Sequence, residues 1–189
     1  VMGAARGRPH AFRPSSIFNI SAMSFGALSA AAIEALNRGA KLCGCLHNTG
    51  EGGLSPYHHN GADIVFQIGT GYFGCRDEQG AFSLAALKRT LDSGAPVRAL
   101  EIKLSQGAKP GLGGLLPGVK VTPEIAATRG IRPGIDCKSP ARHGAFSDID
   151  TLLDFVEHLA DATGLPVGIK SAVGDPDFWE TLASLMASG

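Results

Sequence analysis

The sequence predicts an α/β protein in which about five βα units follow one another. Segments typical of strands alternate with segments typical of helices from residue 18 to residue 189. Glycine occurs 26 times in 189 residues, roughly twice its usual share, which favours a loop-rich α/β protein over a helical bundle. Residues 1–17 are basic and polar and contain Pro9 and Pro14, so we expect a lead-in segment there.

The strands are predicted from short apolar segments bounded by glycine or polar residues. The apolar run over 64–68 is the clearest, because it is typical of a parallel strand buried on both faces. The segment over 97–104 leads directly into a long, glycine-rich loop. Strands are predicted over 17–23, 46–49, 64–68, 97–104 and 167–172.

The helices are predicted from their capping residues and their apolar spacing. Ser29 is suited to an N-cap, and Thr122 followed by Pro123 is typical of a helix start. Residues 148–163 carry apolar side chains at helical spacing, and Gly164 is suited to end that helix. Helices are predicted over 29–42, 82–91, 122–129, 148–163 and 178–187.

Two ways of closing such a parallel sheet fit the alternation equally well. One is an open doubly wound sheet and the other is a (β/α)8 barrel, which takes ~250 residues when complete. The sequence begins with Val1 and stops at Gly189 just after a helical segment. We therefore expect it to be a part of a longer protein, and an incomplete barrel remains compatible with its length.

Composition excludes several classes of function. The formal net charge is zero at pH 7, which gives no reason to expect nucleic acid or an acidic surface as a partner. Apolar runs fall far short of the ~18 residues of a membrane helix, and no signal peptide is recognisable.

The four cysteines lack the C-x₂-C spacing of zinc or redox sites. We expect buried free thiols and a cytoplasmic protein.

Charged and amide side chains converge at the end of the strand over 97–104. Glu101 and Lys103 are two residues apart, so they project to the same face of a strand. Gln106 and Lys109 follow at the entrance of a loop that contains five glycines. Long loops without secondary structure are usually functional or disordered, and this convergence of polar groups favours a functional loop.

Three other patterns resemble known binding motifs but do not predict a binding site. Residues 69–74 match G-x-G-x-x-G after a strand, but a loop rather than a helix follows, so a tight turn is favoured over a dinucleotide site. Lys109 is followed by Pro110 instead of Ser or Thr, which excludes a P-loop. The histidines at 47, 58, 59 and 143 are too scattered to predict a metal site.

Five short motifs occur in an order that indicates a known family. They are SAMSFGALS (21–29), NTGEGG (48–53), QGAKPG (106–111), LPG (116–118) and Ser139-Pro140 with His143. Together they resemble the FMN-binding barrel of the glutamate synthase family. The resemblance implies a (β/α)8 TIM-type barrel, of which residues 18–189 would be the N-terminal part with about the first five βα units.

The resemblance also implies roles for individual residues. The implied cofactor-binding residues are Ala22, Met23, Ser24, Asn48, Thr49, Lys103 and Gln106. The implied catalytic residues are Glu51 and Lys109, and the implied substrate-binding residues are Lys109, Arg129 and Ser139. Structural alternatives stay open: ordinary turns at 22–24 and 48–50, an ion pair between Lys103 and Glu101, and a solvated helix end at Arg129.

The reaction that the resemblance implies is reductive amination. Reduced FMN would transfer hydride to 2-iminoglutarate, formed from 2-oxoglutarate and ammonia, to give L-glutamate. Electrons would come from an NADPH-linked subunit or a ferredoxin through a 3Fe-4S cluster bound outside this sequence, and ammonia would come from another segment, another chain or solution. The phosphate of FMN would be bound by the last strands of the barrel, also outside this sequence.

Two residues depart from the family pattern. The loop typically reads K-P-G-E-G-G-Q-L-P-G, but Leu112 replaces the acidic residue and Leu115 replaces the glutamine. Two alternatives therefore stay open. One is an FMN oxidoreductase of the same fold with a different substrate, and the other is a non-catalytic barrel subunit.

Overall fold

The computed structural model describes residues 1–104 and 112–188. Gln106 and Lys109, two of the predicted site residues, lie outside the described residues. The helices are α1 Ala30–Cys43, α2 Leu84–Leu91, α3 Pro123–Arg129, α4 Ile149–Thr163 and α5 Pro176–Ser188. The strands are β1 His47–Asn48, β2 Ile64–Ile68, β3 Val97–Lys103, β4 Gly114–Leu116, β5 Cys137–Ser139 and β6 Val167–Lys170.

A four-stranded parallel sheet forms the centre of the fold, which confirms the predicted α/β class. Its strand order is β1-β2-β3-β6, with every neighbouring pair parallel. In the register of β2 and β3, Phe66 lies opposite Leu100 and Gln67 lies opposite Glu101. The order of these strands in the sheet follows their order along the chain.

The helix boundaries are set largely by local chemistry. The side chains of Ser29, Ser83, Thr122 and Asp148 each accept a hydrogen bond from a backbone N–H of the first turn, which satisfies donors that have no partner inside the helix. Helix α4 ends at Gly164 in the left-handed conformation (φ 72°), which favours glycine. The predicted N-caps at Ser29 and Thr122 and the stop at Gly164 are thereby confirmed.

The two faces of the sheet have different surroundings because side chains alternate along each strand. On one face, Phe66 and Ile68 of β2 and Leu100 and Ile102 of β3 are fully or almost fully buried. They pack in one apolar cluster with residues of α2 and α4, namely Leu87, Leu152, Phe155 and Leu159. On the other face, β2, β3 and β6 line a cavity of about 630 Å³.

One prediction about the strands was wrong, and one pair of strands was missed. Residues 17–23 do not form a strand: Ile20 makes one parallel bridge to His47, while Ile17 and Phe18 are 90% and 79% exposed. An antiparallel pair, β4 with β5, was not predicted. Each of its strands has three residues, too few for the alternation of apolar and polar residues to be recognised.

The cysteine prediction is confirmed in part. All four cysteines are free thiols, but only Cys75 and Cys137 are buried. Cys43 is exposed and Cys45 is partly exposed, because they lie at and just beyond the end of α1, where the chain turns at Gly44. No helix among the described residues is both long and apolar enough to cross a membrane.

Two buried histidines contact each other, one in β1 and the other in the 3-10 turn Pro56–His58. The rings of His47 and His58 are 5.2 Å apart, and both side chains are fully buried. His58 Nδ1 accepts a hydrogen bond from the backbone N–H of Ser55, so the neutral ring carries its proton on Nε2. A protonated Nε2 cannot ligate a metal, and the described residues contain no group of three metal-ligating side chains.

His58 makes the fold sensitive to acid. Burial lowers the pKa of His58 to about 4 from the ordinary 6.5. Below pH 6.5 the imidazole of His58 binds a proton in the unfolded chain but not in the folded chain. The free energy of unfolding therefore falls between pH 6.5 and about 4. The loss approaches ~3 kcal/mol. His58→Asn, which can still accept from Ser55, is expected to flatten this dependence in chemical denaturation of the full-length protein.

An exposed histidine on α4 is the control for this experiment. His158→Asn changes an exposed side chain that is not among the charges acting on His58, so the pH dependence that comes from His58 should persist. An equally steep loss of stability in the His58→Asn variant would contradict the assignment.

Candidate functional site

Polar side chains gather at the carboxyl ends of the parallel strands. Asn48 ends β1, Glu101 and Lys103 lie at the end of β3, and Lys170 ends β6. Gln67 lies next to the end of β2, and Glu51 lies in the 3-10 turn after β1. We call these six residues the strand-end cluster. Ligands of parallel α/β proteins bind at this edge of the sheet.

Glu101 is the centre of the strand-end cluster. Its Oε1 accepts hydrogen bonds from Asn48 Nδ2 (2.9 Å) and from Gln67 Nε2, and it lies 3.6 Å from Lys170 Nζ. Burial lowers the pKa of Lys170, and the Glu101 carboxylate acts in the opposite direction. The carboxylate therefore connects side chains from all four parallel strands.

Lys103 forms an ion pair across the cluster with Glu51. Lys103 Nζ lies 3.3 Å from Glu51 Oε2, and the two side chains are 14% and 21% exposed. The sequence left open a pair between Lys103 and Glu101, but Glu101 is paired with Lys170. Glu51 can approach the sheet only because residue 69 is glycine: a Cβ there would lie 2.7 Å from Glu51 Cβ.

The two predicted cofactor-binding turns are in contact. Met23 N donates to Asn48 O at 3.5 Å, and a Cβ at Gly50 would lie 2.7 Å from Ser24 N. Ala22 lines the cavity on the open face of the sheet together with Asn48, Glu101 and Lys170. The fold therefore brings the turn at 22–24 and the turn at 48–50 to the same end of the sheet.

The hydroxyl of Thr49 forms hydrogen bonds to the backbone of the protein itself. Its hydroxyl donates to Gly50 O and accepts from the backbone N–H of Gln67, and the residue is fully buried. Its backbone N–H also donates to Val65 O, so both donors of Thr49 are already paired within the fold. Asn48 is similarly engaged, because its amide nitrogen donates to Glu101 and its amide oxygen accepts from Gly50 N.

Arg129 is buried, so a solvated helix end is excluded. The residue is 6% exposed, and its guanidinium donates to Phe25 O (3.1 Å) and contacts Cys137 Sγ (3.5 Å). It also lies over the ring of Phe73, 5.2 Å from the centroid. Within residues 1–104 and 112–188, no carboxylate is within ion-pairing distance of Arg129, and its Nε has no hydrogen-bond partner.

A second cavity joins several predicted residues. Its volume is about 190 Å³. Its lining includes Ser24, Glu51, Arg129 and Ser139, together with the apolar side chain of Leu115. A buried guanidinium without a carboxylate partner, facing a cavity, is suited to bind an anionic group of a ligand.

Four residues with a role in this geometry were not predicted as site residues: Gln67, Tyr72, His143 and Lys170. Gln67 and Lys170 had a recognisable signal, because each is a polar residue in an otherwise apolar strand segment, next to the end of IVFQI and at the end of VGIK. Tyr72 lies in the glycine-rich turn after β2 and hydrogen-bonds to His143, whose ring contacts Lys103 O at the end of β3. Their contacts depend on the tertiary structure.

The family is decided by the comparison with known proteins. The conserved region in glutamate synthase matches residues 9–187 of this chain. The chain belongs to the glutamate synthase family. The resemblance found in the sequence motifs is thereby confirmed.

Several curated members of the glutamate synthase family are similar to this chain. The glutamate synthase large subunit-like protein YerD of Bacillus subtilis is 46% identical over 170 residues, which is 88% of this chain and 32% of that protein. The archaeal glutamate synthase [NADPH] of Methanocaldococcus jannaschii is 43% identical over 156 residues, which is 81% of this chain and 28% of that protein. The chain thus spans about a third of the length of these relatives.

Loss of the Glu101 carboxylate should destabilise the protein. In Glu101→Gln, the amide oxygen can take the place of Oε1 and still accept from Asn48 and Gln67, but the negative charge beside Lys170 is lost. Hydrogen bonds to a charged acceptor become weaker, neutral ones, and we expect the free energy of unfolding to fall by about 1–3 kcal/mol. Chemical denaturation of the full-length protein measures this change.

An exposed glutamate on α1 provides the matched control. Glu34 pairs with Arg38 on the surface of the helix, and such pairs contribute about 0.3–0.5 kcal/mol. If Glu34→Gln and Glu101→Gln reduced stability equally, the central role of Glu101 would be refuted.

Proposed function

We propose that this chain is part of an FMN-dependent oxidoreductase that converts 2-oxoglutarate and ammonia, through 2-iminoglutarate, to L-glutamate. The observation that carries this proposal is the buried guanidinium of Arg129, which faces a cavity shared with Glu51 and Ser139. Membership of the glutamate synthase family supports the reaction type. The remaining support comes from the charges and cavities at the end of the sheet.

A closed (β/α)8 barrel is the architecture that we propose for the whole domain. The order β1-β2-β3-β6 follows the chain without a reversal, whereas the order in doubly wound sheets reverses at a switch point. The cluster of α2 and α4 covers one face of the sheet, and the opposite face lines a cavity. In a barrel, that opposite face would point toward the interior.

The residues at the strand ends fit the binding of FMN. The cavity of about 630 Å³ that Ala22, Asn48, Glu101 and Lys170 line has the size of a small-molecule site. Lys103, the backbone of residues 22–24 and 48–49, and Gln106 would hold the ring system, with the Lys103 ammonium favouring negative charge on it. Bound FMN supplies the hydride-transfer chemistry.

The smaller cavity fits the substrate. Arg129 would bind one carboxylate of a 2-oxo acid, and Lys109 would bind the second. Ser139 would donate a hydrogen bond, and the carboxylate of Glu51 would stabilise a positively charged imine nitrogen. The apolar side chain of Leu115 on the wall of this cavity would help to exclude water. Electrons and ammonia would be delivered by other segments or partners.

A second candidate is a related oxidoreductase that acts on a different 2-oxo acid. Leu115 is 59% exposed and lines the cavity beside Arg129, at a position where the family typically has glutamine. A leucine cannot form the hydrogen bond that a glutamine would offer to a polar substrate. Activity with a panel of 2-oxo acids would separate the two candidates.

Purified full-length protein should contain flavin. We expect absorption bands near ~370 and ~450 nm, with FMN released into the supernatant by heat. Lys103→Ala should weaken FMN binding by about tenfold, because a cation is removed from the site. Lys88→Ala, at an exposed position of α2, is the control. A colourless protein that cannot be reconstituted with FMN would instead favour a non-catalytic barrel subunit.

Substitution of Arg129 tests the substrate site separately. In Arg129→Lys the charge remains, but the bidentate contact to a carboxylate is lost. We expect the KM for 2-oxoglutarate to rise by about tenfold or more while FMN stays bound. Arg132→Lys, at an exposed position of the same segment, should behave like the wild type. An unchanged KM in Arg129→Lys would remove Arg129 from the substrate site.

A further inference from the structure

The turn after β2 binds the segment that follows β5. Thr70 Oγ1 donates to Pro140 O at 2.7 Å. The phenol oxygen of Tyr72 accepts hydrogen bonds from the backbone N–H groups of Gly144 (3.1 Å) and Ala145 (3.0 Å). The segment after Ser139, which lines the smaller cavity, is therefore attached to the end of β2.

His143 links this turn to the backbone of Lys103. His143 Nε2 lies 2.8 Å from Lys103 O, and a carbonyl oxygen can only accept, so the proton is on Nε2. Nδ1 must then accept, and its partner at 3.1 Å is the hydroxyl of Tyr72. The hydrogen bonds thus run in one direction, from Tyr72 through His143 to Lys103.

The surroundings of His143 keep its ring neutral and fixed. The residue is 7% exposed, and its ring stacks on Phe146 with the centroids 4.6 Å apart. Burial lowers the pKa of His143 below its ordinary value. A second proton on Nδ1 would also face the Tyr72 hydroxyl, which already accepts from two backbone N–H groups.

Tyr72 has an uncommon backbone conformation. Its φ is 50°, in the left-handed region that bulky residues rarely adopt. Such a conformation persists only where the surrounding contacts enforce it, and it is enriched at functional sites. Here the three hydrogen bonds of the phenol group, to His143, Gly144 and Ala145, hold the side chain in place.

Lys103 is the residue on which these contacts act. It is the last residue of β3, its side chain belongs to the strand-end cluster, and its ammonium pairs with Glu51. Its carbonyl oxygen is held by His143, while the next residue, Leu104, donates its N–H to Lys170 O. Both sides of the peptide unit after Lys103 are therefore fixed.

We propose that His143 is a positioning residue, which holds Lys103 in the orientation needed for the cofactor through the hydrogen bonds from Tyr72 to Lys103 O. This inference rests on the proposed FMN site. It adds that the segment after Ser139, on the substrate side, and Lys103, on the cofactor side, are coupled through one imidazole.

Two substitutions at His143 separate its two hydrogen bonds. His143→Gln places an amide N–H near the position of Nε2, so the bond to Lys103 O can be kept. His143→Asn places an amide oxygen near the position of Nδ1, so the bond from Tyr72 can be kept while that to Lys103 is lost. His158→Asn, at an exposed position of α4, is the control.

The variants are compared in the full-length protein. We expect His143→Asn to raise the dissociation constant of FMN, measured by flavin fluorescence on the apoprotein, by roughly three- to tenfold. Its kcat should fall by a similar factor, with the KM for 2-oxoglutarate unchanged. His143→Gln should restore both quantities to within about twofold. Tyr72→Phe, which keeps the Lys103 contact but frees the ring, should lie between the two.

A role in folding alone would give a different pattern. In that case His143→Gln and His143→Asn would lower the midpoint of thermal unfolding together, and the dissociation constant of FMN would not distinguish them. That result, or wild-type FMN binding by His143→Asn, overturns this inference alone. If His143→Asn does not fold, wild-type FMN binding by Tyr72→Phe overturns it. A wild-type protein that binds no FMN overturns the proposed function and this inference with it.

Discussion

The carboxylate of Glu101 connects the four strands of the parallel sheet at the carboxyl-terminal edge, where parallel α/β proteins generally bind ligands. A carboxylate at this position has to be compensated, because a charge withdrawn from water is costly unless it is paired and hydrogen-bonded. Asn48 and Gln67 supply two amide donors, and Lys170 supplies the opposite charge. The three partners come from β1, β2 and β6, so the electrostatic requirement of one side chain fixes the ends of all the strands relative to each other.

The second ion pair, between Lys103 and Glu51, extends the same arrangement toward the cavities. Charges alternate from Lys170 through Glu101 and Lys103 to Glu51, so the edge of the sheet is close to electrically neutral in these four residues. Arg129 lies outside this alternation, buried without a carboxylate partner among the described residues. The four residues of the two ion pairs therefore balance one another, whereas the guanidinium of Arg129 is not balanced by any of them. Arg129 is for that reason suited to bind an anion.

The helices and the strand β2 could be predicted from the sequence because their signals are local. Ser29, Thr122 and Gly164 act within one turn of the helix that they begin or end. The pair of β4 with β5 joins residues more than twenty positions apart, so no local sequence pattern predicts it. The burial of Arg129 likewise depends on Phe25 and Phe73, which reach it only through the tertiary structure. For that reason the position of Arg129 at a helix end did not predict that its side chain is buried.

The register between β2 and β3 has a consequence for how this domain can change in evolution. Leu100 and Ile102 point to the helices, while Glu101 and Lys103 point to the strand-end cluster. Insertion or deletion of one residue within β3 would exchange the two sets, placing charges in the apolar cluster and leucine or isoleucine in the site. A single change of length would thus damage stability and ligand binding at once. Changes of length are therefore expected to be confined to the connecting loops, and β3 can diverge only by substitution.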